Sequence, residues 1–216
     1  MAKKLMRLIV CSQCGVRGKM IFDYENKILQ VKLVYYGPAM SGKTTSIKYL
    51  FSYFNKGEKL KSIDSSVGRT LFFDFGVLNF KGADWSLKFL IYSATGQDFY
   101  ASTRPATLNG VDGLIFVVDS RPAYLQHNLR SWNELRSMFG DQIYEIPINI
   151  SLNKSDLVSN LNLEGNRFLH SVDLGRFRYI SINKTTALKG NGILDAFNKL
   201  INFIFPQLTI NTSLTN

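Results

Sequence analysis

The sequence is poor in cysteine and has no long apolar segment. Two cysteines in 216 residues, Cys11 and Cys14, cannot form a disulfide framework, and this composition is typical of a reducing cytoplasm. No apolar run approaches the roughly 20 residues of a bilayer-spanning helix. The start has no apolar signal region and neither end carries a lipidation motif. We therefore expect a cytoplasmic protein with no transmembrane segment and no lipid anchor.

Acidic residues are also scarce, most of all near the start. The formal net charge is +10, and half of it arises before residue 37. Such a segment can meet an acidic partner surface, anionic lipid or nucleic acid, or it can simply be solvated. The segment shows no aromatic stacking pattern or known nucleic-acid-binding motif, so nucleic acid is not the predicted partner, although the basic arm leaves that alternative open.

Apolar periodicity predicts an α/β fold with a doubly wound, mostly parallel six-stranded sheet and helices on both faces. Strand patterns occur at residues 29–35, 70–80, 86–92, 113–119, 148–152 and 178–182. Helical spacing occurs at residues 47–54, 125–132 and 194–204. We place one domain at residues 28–206, after a basic extension at 1–27 and before a polar tail at 207–216. In the extension, residues 8–10 and 20–22 are candidates for a small hairpin.

A phosphate-binding loop is predicted at residues 37–44, between the first strand and the first helix. Gly37 and Gly42 have the G-x-x-x-x-G-K-[ST] spacing, in which small residues let backbone N–H groups surround phosphate oxygens. The start of a helix favours anions, Lys43 can reach the β- and γ-phosphates, and the Thr44 hydroxyl can ligate Mg²⁺. The loop predicts a nucleotide without identifying its base.

Residues 153–156, Asn-Lys-Ser-Asp, predict that the base is guanine. They directly follow a late strand, where the Asp156 carboxylate can accept hydrogen bonds from the ring N1–H and the exocyclic amine of guanine. Adenine does not offer that pair of donors. The alternative is a polar turn with an Asp helix cap, and the position downstream of a phosphate-binding loop favours the base-binding interpretation.

Between these motifs lie residues suited to phosphoryl transfer. Gly96 follows a strand and can bring its amide to a γ-phosphate, and Gln97 can orient an attacking water. Thr70 can add a second hydroxyl to Mg²⁺. Arg69 is a candidate for neutralising charge on the transferred group, although an arginine in a loop can equally be solvated.

Together these residues resemble a Ras-like small GTPase, and more closely the MglA-type polarity and gliding-motility GTPases of prokaryotes. The resemblance covers roughly residues 28–203 and depends on segments 33–38, 41–45, 69–75, 95–100 and 110–117. It implies a GTP-binding switch that hydrolyses GTP to GDP and phosphate with Mg²⁺. It also implies two switch segments, an intrinsic arginine finger at Arg69, and regulatory partners of the roadblock/longin type.

The resemblance also assigns roles to single residues. The predicted catalytic residues are Gln97 and Arg69, and the Mg²⁺ ligands are Thr44 and Thr70. Ala187 is assigned by counting back from Gly192, although residues 181–184 offer a competing register. The full set of predicted nucleotide-binding residues is Gly37, Ala39, Met40, Ser41, Gly42, Lys43, Thr44, Thr45, Thr70, Gly96, Asn153, Lys154, Asp156, Thr186 and Ala187.

Two positions depart from the Ras-like pattern. Ser93 stands where most Ras-like proteins have an Asp that holds an Mg²⁺ water, and our hypothesis is that Asp74 supplies the carboxylate indirectly. Ala39 adds a methyl group where many relatives have glycine, close to the catalytic Gln and Arg. Because misplacement by about 1 Å can cost roughly a hundredfold in rate, we expect slow, partner-stimulated hydrolysis. The alternative is a nucleotide-holding adaptor with negligible turnover.

Cys11 and Cys14 have the C-x₂-C spacing of a zinc knuckle, but no second ligand pair is near them in the sequence. Three interpretations remain open. They are a Zn²⁺ half-site completed by another chain, a redox-active dithiol, and two reduced thiols in a turn.

Overall fold

The protein is described here by a computed structural model that covers residues 20–54, 60–64, 70–82, 84–96, 102–158 and 167–206. For residues 60–64 and 70–74 only the backbone is described. No helix within these ranges is long and apolar enough to cross a membrane.

Within the described ranges, the strands form one sheet of eight. Its order is β3-β4-β5-β2-β6-β7-β8, and β1 pairs with β2. Strands β5, β2, β6, β7 and β8 run parallel, whereas the β1–β2, β3–β4 and β4–β5 pairs are antiparallel. The strands are β1 (Ile21–Asp23), β2 (Ile28–Tyr36), β3 (Leu60–Asp64), β4 (Thr70–Lys81), β5 (Ser86–Ala94), β6 (Gly113–Asp119), β7 (Ile148–Asn153) and β8 (Ile180–Lys184).

Helices cover both faces of this sheet, as the sequence predicts. The described α-helices are α1 (Lys43–Tyr53), α2 (Arg104–Leu108), α3 (Leu125–Phe139), α4 (Arg167–His170) and α5 (Ile193–Ile204). Phe51 of α1 and Phe197 of α5 belong to one apolar cluster, whereas Trp132 of α3 and Phe168 of α4 belong to the other. The doubly wound, mostly parallel architecture is therefore confirmed.

The period-two geometry of a strand explains how β2 and β6 serve both clusters. In β2, Leu33 and Tyr35 pack with α1 and α5, whereas Val34 and Tyr36 pack with α3 and α4. Every residue of β6 is buried, because a central parallel strand is covered on both sides. The continuous apolar run at residues 113–119 reflects that burial.

The two strands beyond the predicted six are β1 and β3. In β1, Ile21 pairs with Gln30 of β2, so residues 21–23 join the main sheet. Residues 8–10, the predicted hairpin partner, lie outside the described residues. The turn is closed by the Asn26 N–H, which donates to Asp23 Oδ1 at 3.0 Å. The predicted domain boundary at residue 28 lies between β1 and β2, which pair with each other.

Candidate functional site

Residues 37–42 form a loop that connects β2 to α1 and encloses the Lys43 side chain. Lys43 Nζ donates to the carbonyl oxygens of Gly37 at 2.8 Å and Pro38 at 2.7 Å. The helix cap is Gly42, with φ 108°, and the first turn of α1 contains no acidic residue. A buried ammonium beside the positive end of a helix favours an anion at this loop.

Two glycines allow other segments to approach the loop closely. A Cβ on Gly42 would lie 2.1 Å from Asn153 Nδ2, and a Cβ on Gly96 would lie 2.3 Å from the backbone nitrogen of Ala39. Since real Cβ contacts are never so short, any side chain at either position would push the segments apart. Gly96 thus brings the end of β5 against the phosphate-binding loop.

The donor chemistry inside the loop suits a phosphate group. The Ser41 hydroxyl is buried and has no hydrogen-bond partner among the described residues, so it can donate to an incoming oxygen. Thr44 and Thr45 follow Lys43 in the first turn of α1 and are partly exposed. Met40, with φ 61°, is 61% exposed and lies at the outer rim of the loop.

Asn153 ends β7 and connects three segments around the loop. Its Nδ2 donates to the Ser41 carbonyl at 2.7 Å, and its Oδ1 accepts from the Ala187 N–H at 2.9 Å and the Thr185 hydroxyl at 3.3 Å. Residues 181–184 lie within β8, so the structure places Ala187, and not the competing register, beside Asn153.

The rest of the 153–156 motif also lies close to the loop at residues 37–42 and to residues 186–189. Lys154 adopts a left-handed conformation with φ 60°, and its Nζ donates to the Met40 carbonyl at 2.8 Å. Ser155 Oγ lies 3.1 Å from the Thr186 hydroxyl. The exposed Asp156 forms an ion pair of 3.3 Å with Lys189. The structure therefore brings both sequence motifs and the 186–187 segment together.

On the opposite side of the loop, only the backbone of Thr70 and Asp74 is described. Thr70 begins β4, as predicted, and Asp74 lies directly across from Ser93 in the β4–β5 register. Ser93 itself is buried. The register is the one that our hypothesis for Asp74 requires, and the role of the carboxylate stays a prediction.

Comparison with known proteins identifies the family. The profile of the ADP-ribosylation factor family matches residues 19–204. The chain belongs to the ADP-ribosylation factor family of small GTPases. It is 33% identical to the mutual gliding-motility protein MglA of Myxococcus xanthus (strain DK1622) over 193 residues, which are 86% of this chain and 96% of the relative. It is 28% identical to the Ras-related protein Rab-11B of Dictyostelium discoideum over 199 residues, 90% of this chain and 80% of the relative.

Family membership confirms the predicted resemblance to Ras-like, MglA-type proteins. This small GTPase is a GTP-binding switch and belongs to a class of enzymes that hydrolyse GTP to GDP and phosphate. The family match begins at residue 19, so it includes β1.

Four predicted residues of this small GTPase lie outside the described ranges. They are the catalytic candidates Arg69 and Gln97 and the pair Cys11 and Cys14. In the described part of the chain, no three His, Cys, Asp or Glu side chains are grouped to hold a metal ion. Because Cys11 and Cys14 lie outside that part, the zinc half-site stays a prediction.

Sequence reasoning missed Asp119, a buried carboxylate behind Lys154. Its Oδ2 accepts from Lys154 Nζ at 2.7 Å and from Arg121 at 2.8 Å. Burial alone would raise the pKa of Asp119, but the hydrogen bonds from Arg121 and Lys154 outweigh burial and hold that pKa below its usual range. Asp119 is the last residue of β6, and its place at the carboxyl end of a parallel strand is the signal that could have identified it.

Proposed function

We propose that this small GTPase hydrolyses GTP slowly by itself and depends on a partner protein for fast turnover. The observation that carries the proposal is the contact between Gly96 and the backbone of Ala39. A rearrangement at Gly96 would therefore act directly on the phosphate-binding loop. The Ala39 methyl group lies at the same junction, where it can displace the groups that complete the hydrolytic site.

The proposed site divides the nucleotide between two sets of residues. We assign the phosphates to residues 37–45 and Gly96. Asn153, Lys154 and Asp156, with the Thr186–Ala187 backbone, are assigned to guanine. The buried Ser41 hydroxyl and the buried Lys43 ammonium support the phosphate assignment.

Magnesium suits the oxygen donors at this end of α1. The Thr44 and Thr70 hydroxyls would hold the ion, and Asp74 would act indirectly through its register with Ser93. When bound, Mg²⁺ neutralises charge on the β- and γ-phosphates. The protein's own part is to hold the phosphate chain with Lys43 and backbone amides, and to orient water with Gln97 while Arg69 offsets charge.

A second candidate function is an adaptor that holds nucleotide with negligible turnover. Two positions favour it. Ala39 adds a methyl group to the loop where many related proteins have glycine, and Ser93 replaces the Asp that holds an Mg²⁺ water in most Ras-like proteins. For either function we propose a cytoplasmic protein whose switch segments engage a roadblock/longin-type partner. The basic extension would contact an acidic surface.

Two measurements on the purified full-length chain test this proposal. Chromatography of the released nucleotide should find GDP or GTP, and bound ATP would contradict the proposal. Single-turnover GTP hydrolysis should be slow in the wild type, slower in Arg69→Ala, and faster by roughly tenfold or more in Ala39→Gly. Wild-type turnover equal to that of buffer would instead favour the adaptor.

A further inference from the structure

Arg104, the first residue of α2, is a buried cation to which the proposed nucleotide chemistry gives no role. It is 5% exposed. Its Nε donates to the carbonyl oxygen of Thr95 at 2.9 Å, and its NH1 donates to both carboxylate oxygens of Glu134 on α3. Because the guanidinium is a rigid planar fork, these contacts fix its orientation.

The contact with Thr95 acts directly on Gly96. The carbonyl of Thr95 and the N–H of Gly96 belong to one planar peptide unit, in which they point in opposite directions. Holding the carbonyl oxygen therefore also sets the direction of the Gly96 N–H. Thr95 is buried, and Gly96 lies against Ala39 of the phosphate-binding loop.

The contacts of Arg104 with Thr95 and Glu134 are called the clamp below. Its Glu134 end is packed against the core. Glu134 lies on α3 between Trp132 and Leu135, which are 1% and 0% exposed. The charges of Arg104 and Glu134 also act on Tyr36, the last residue of β2. Burial raises the pKa of Tyr36, the Glu134 charge raises it further, and Arg104 acts in the opposite direction. Arg104 thus connects the peptide before Gly96 to a rigid helix beside the start of the phosphate-binding loop.

We propose that Arg104 is a positioning residue for recognition of the terminal phosphate. It holds the Thr95–Gly96 peptide so that the Gly96 amide is aimed at the γ-phosphate, and Glu134 holds Arg104 in place. This inference depends on the proposed nucleotide site. Since GDP has no γ-phosphate, loss of the clamp should weaken binding of GTP much more than binding of GDP.

The test is the ratio of two dissociation rates, measured on the full chain with Mg²⁺. The probes are fluorescent GDP and a fluorescent, non-hydrolysable GTP analogue. Arg104→Met should release the analogue roughly tenfold faster, because a hydrogen bond to a charged group is lost, and should change GDP release by less than about twofold. Arg104→Lys should fall between Arg104→Met and the wild type, because it keeps the charge but not the fork. Glu134→Gln should shift the ratio in the same direction by a smaller factor.

Two control variants separate positioning from stability. Arg136→Met removes an exposed arginine from α3 and should leave both rates unchanged. Met138→Ala removes a side chain packed on the core cluster, so it should lower the melting temperature without moving the ratio. Equal acceleration of both probes in the Arg104 and Glu134 variants would overturn the inference. A wild type that binds neither probe would refute the proposed function itself.

Discussion

Gly96 is the residue at which β5 contacts the phosphate-binding loop, and the contact depends on its lack of a side chain. In Gly96→Ala the new Cβ would lie 2.3 Å from the Ala39 nitrogen and 2.6 Å from the Pro38 carbonyl carbon, so the end of β5 must move away. We expect affinity for a GTP analogue to fall roughly tenfold or more, since a hydrogen bond to a charged group is lost, with a smaller loss for GDP. Isothermal titration with both nucleotides measures this.

The matched control for that substitution is Gly175→Ala. A Cβ there would meet nothing within 4 Å, so both affinities should remain at the wild-type values. If Gly96→Ala also binds the two nucleotides as the wild type does, the contact between β5 and the loop has no part in phosphate recognition.

Asp119 provides a prediction about pH. The pKa of its carboxylate is held below the usual value, so this charge stabilises the fold above the unfolded-state pKa of about 4, and the stabilisation is lost as the pH falls through the lower folded-state pKa. Asp119→Asn should therefore reduce the free energy of unfolding by about 1–3 kcal/mol at neutral pH. Urea denaturation from about pH 7 to about pH 3 should show the difference shrinking at the acid end.

A suitable control is Asp141→Asn. Asp141 is 90% exposed and pairs with the exposed Arg176, and such pairs contribute little. Two outcomes would contradict the assigned role of the carboxylate. One is that Asp119→Asn leaves the free energy of unfolding unchanged at neutral pH, and the other is that the loss of free energy is as large in acid as at neutral pH.

Among the elements, the end of β7 organises the base side of the site. Asn153 contacts Ser41, Thr185 and Ala187, so Asn153→Ala removes the contacts of β7 with two segments, the loop at 37–42 and residues 185–187. We expect the affinity for GDP to fall roughly a hundredfold, because several buried hydrogen bonds are lost together. Titration with GDP checks this, and Asn79→Ala, an exposed substitution on β4, is the control. An unchanged affinity in Asn153→Ala would show that the base side is not organised through this side chain.

The elements also show what a sequence can predict. Strands β6 and β7 are buried along their whole length, and such runs stand out as continuous apolar segments. Strand β1 largely coincides with residues 20–22, a strand candidate in the sequence, whereas three of the five residues of β3 are polar and show no apolar strand pattern. Arg104 and Glu134 are 30 positions apart, and no local pattern indicates that two such residues meet.

Residues 37–44 and 153–156 could be recognised as candidate phosphate- and base-binding motifs for the opposite reason, and their roles stay predictions. Their function depends on fixed local spacing, such as the interval from Gly37 to Gly42, and spacing is visible in the sequence. Asp119 acts through Lys154, with which it forms a contact 35 positions away. Contacts of that kind follow from the order of strands in the sheet.

For the whole molecule, topology determines where the site forms. The parallel strands β2, β6, β7 and β8 end at Tyr36, Asp119, Asn153 and Lys184, and the carboxyl ends of parallel strands meet at one edge of the sheet. The phosphate-binding loop, the base-binding motif and the Ala187 segment therefore converge although more than a hundred residues separate the first from the last. In the proposed site a bound nucleotide would contact all of them, so it should stabilise the whole fold.

The central claim is that residues 153–156 select guanine for the phosphate-binding loop, and base preference tests it most directly. In a titration with GDP, ADP and xanthosine diphosphate, the wild type should prefer GDP over ADP by roughly a thousandfold, because adenine lacks the two donors that the Asp156 carboxylate accepts from guanine. Asp156→Asn should prefer xanthosine diphosphate, whose C2 carbonyl accepts from the new amide where guanine has an amine. Equal wild-type affinity for ADP and GDP, or an Asp156→Asn variant that still prefers GDP, would contradict the account.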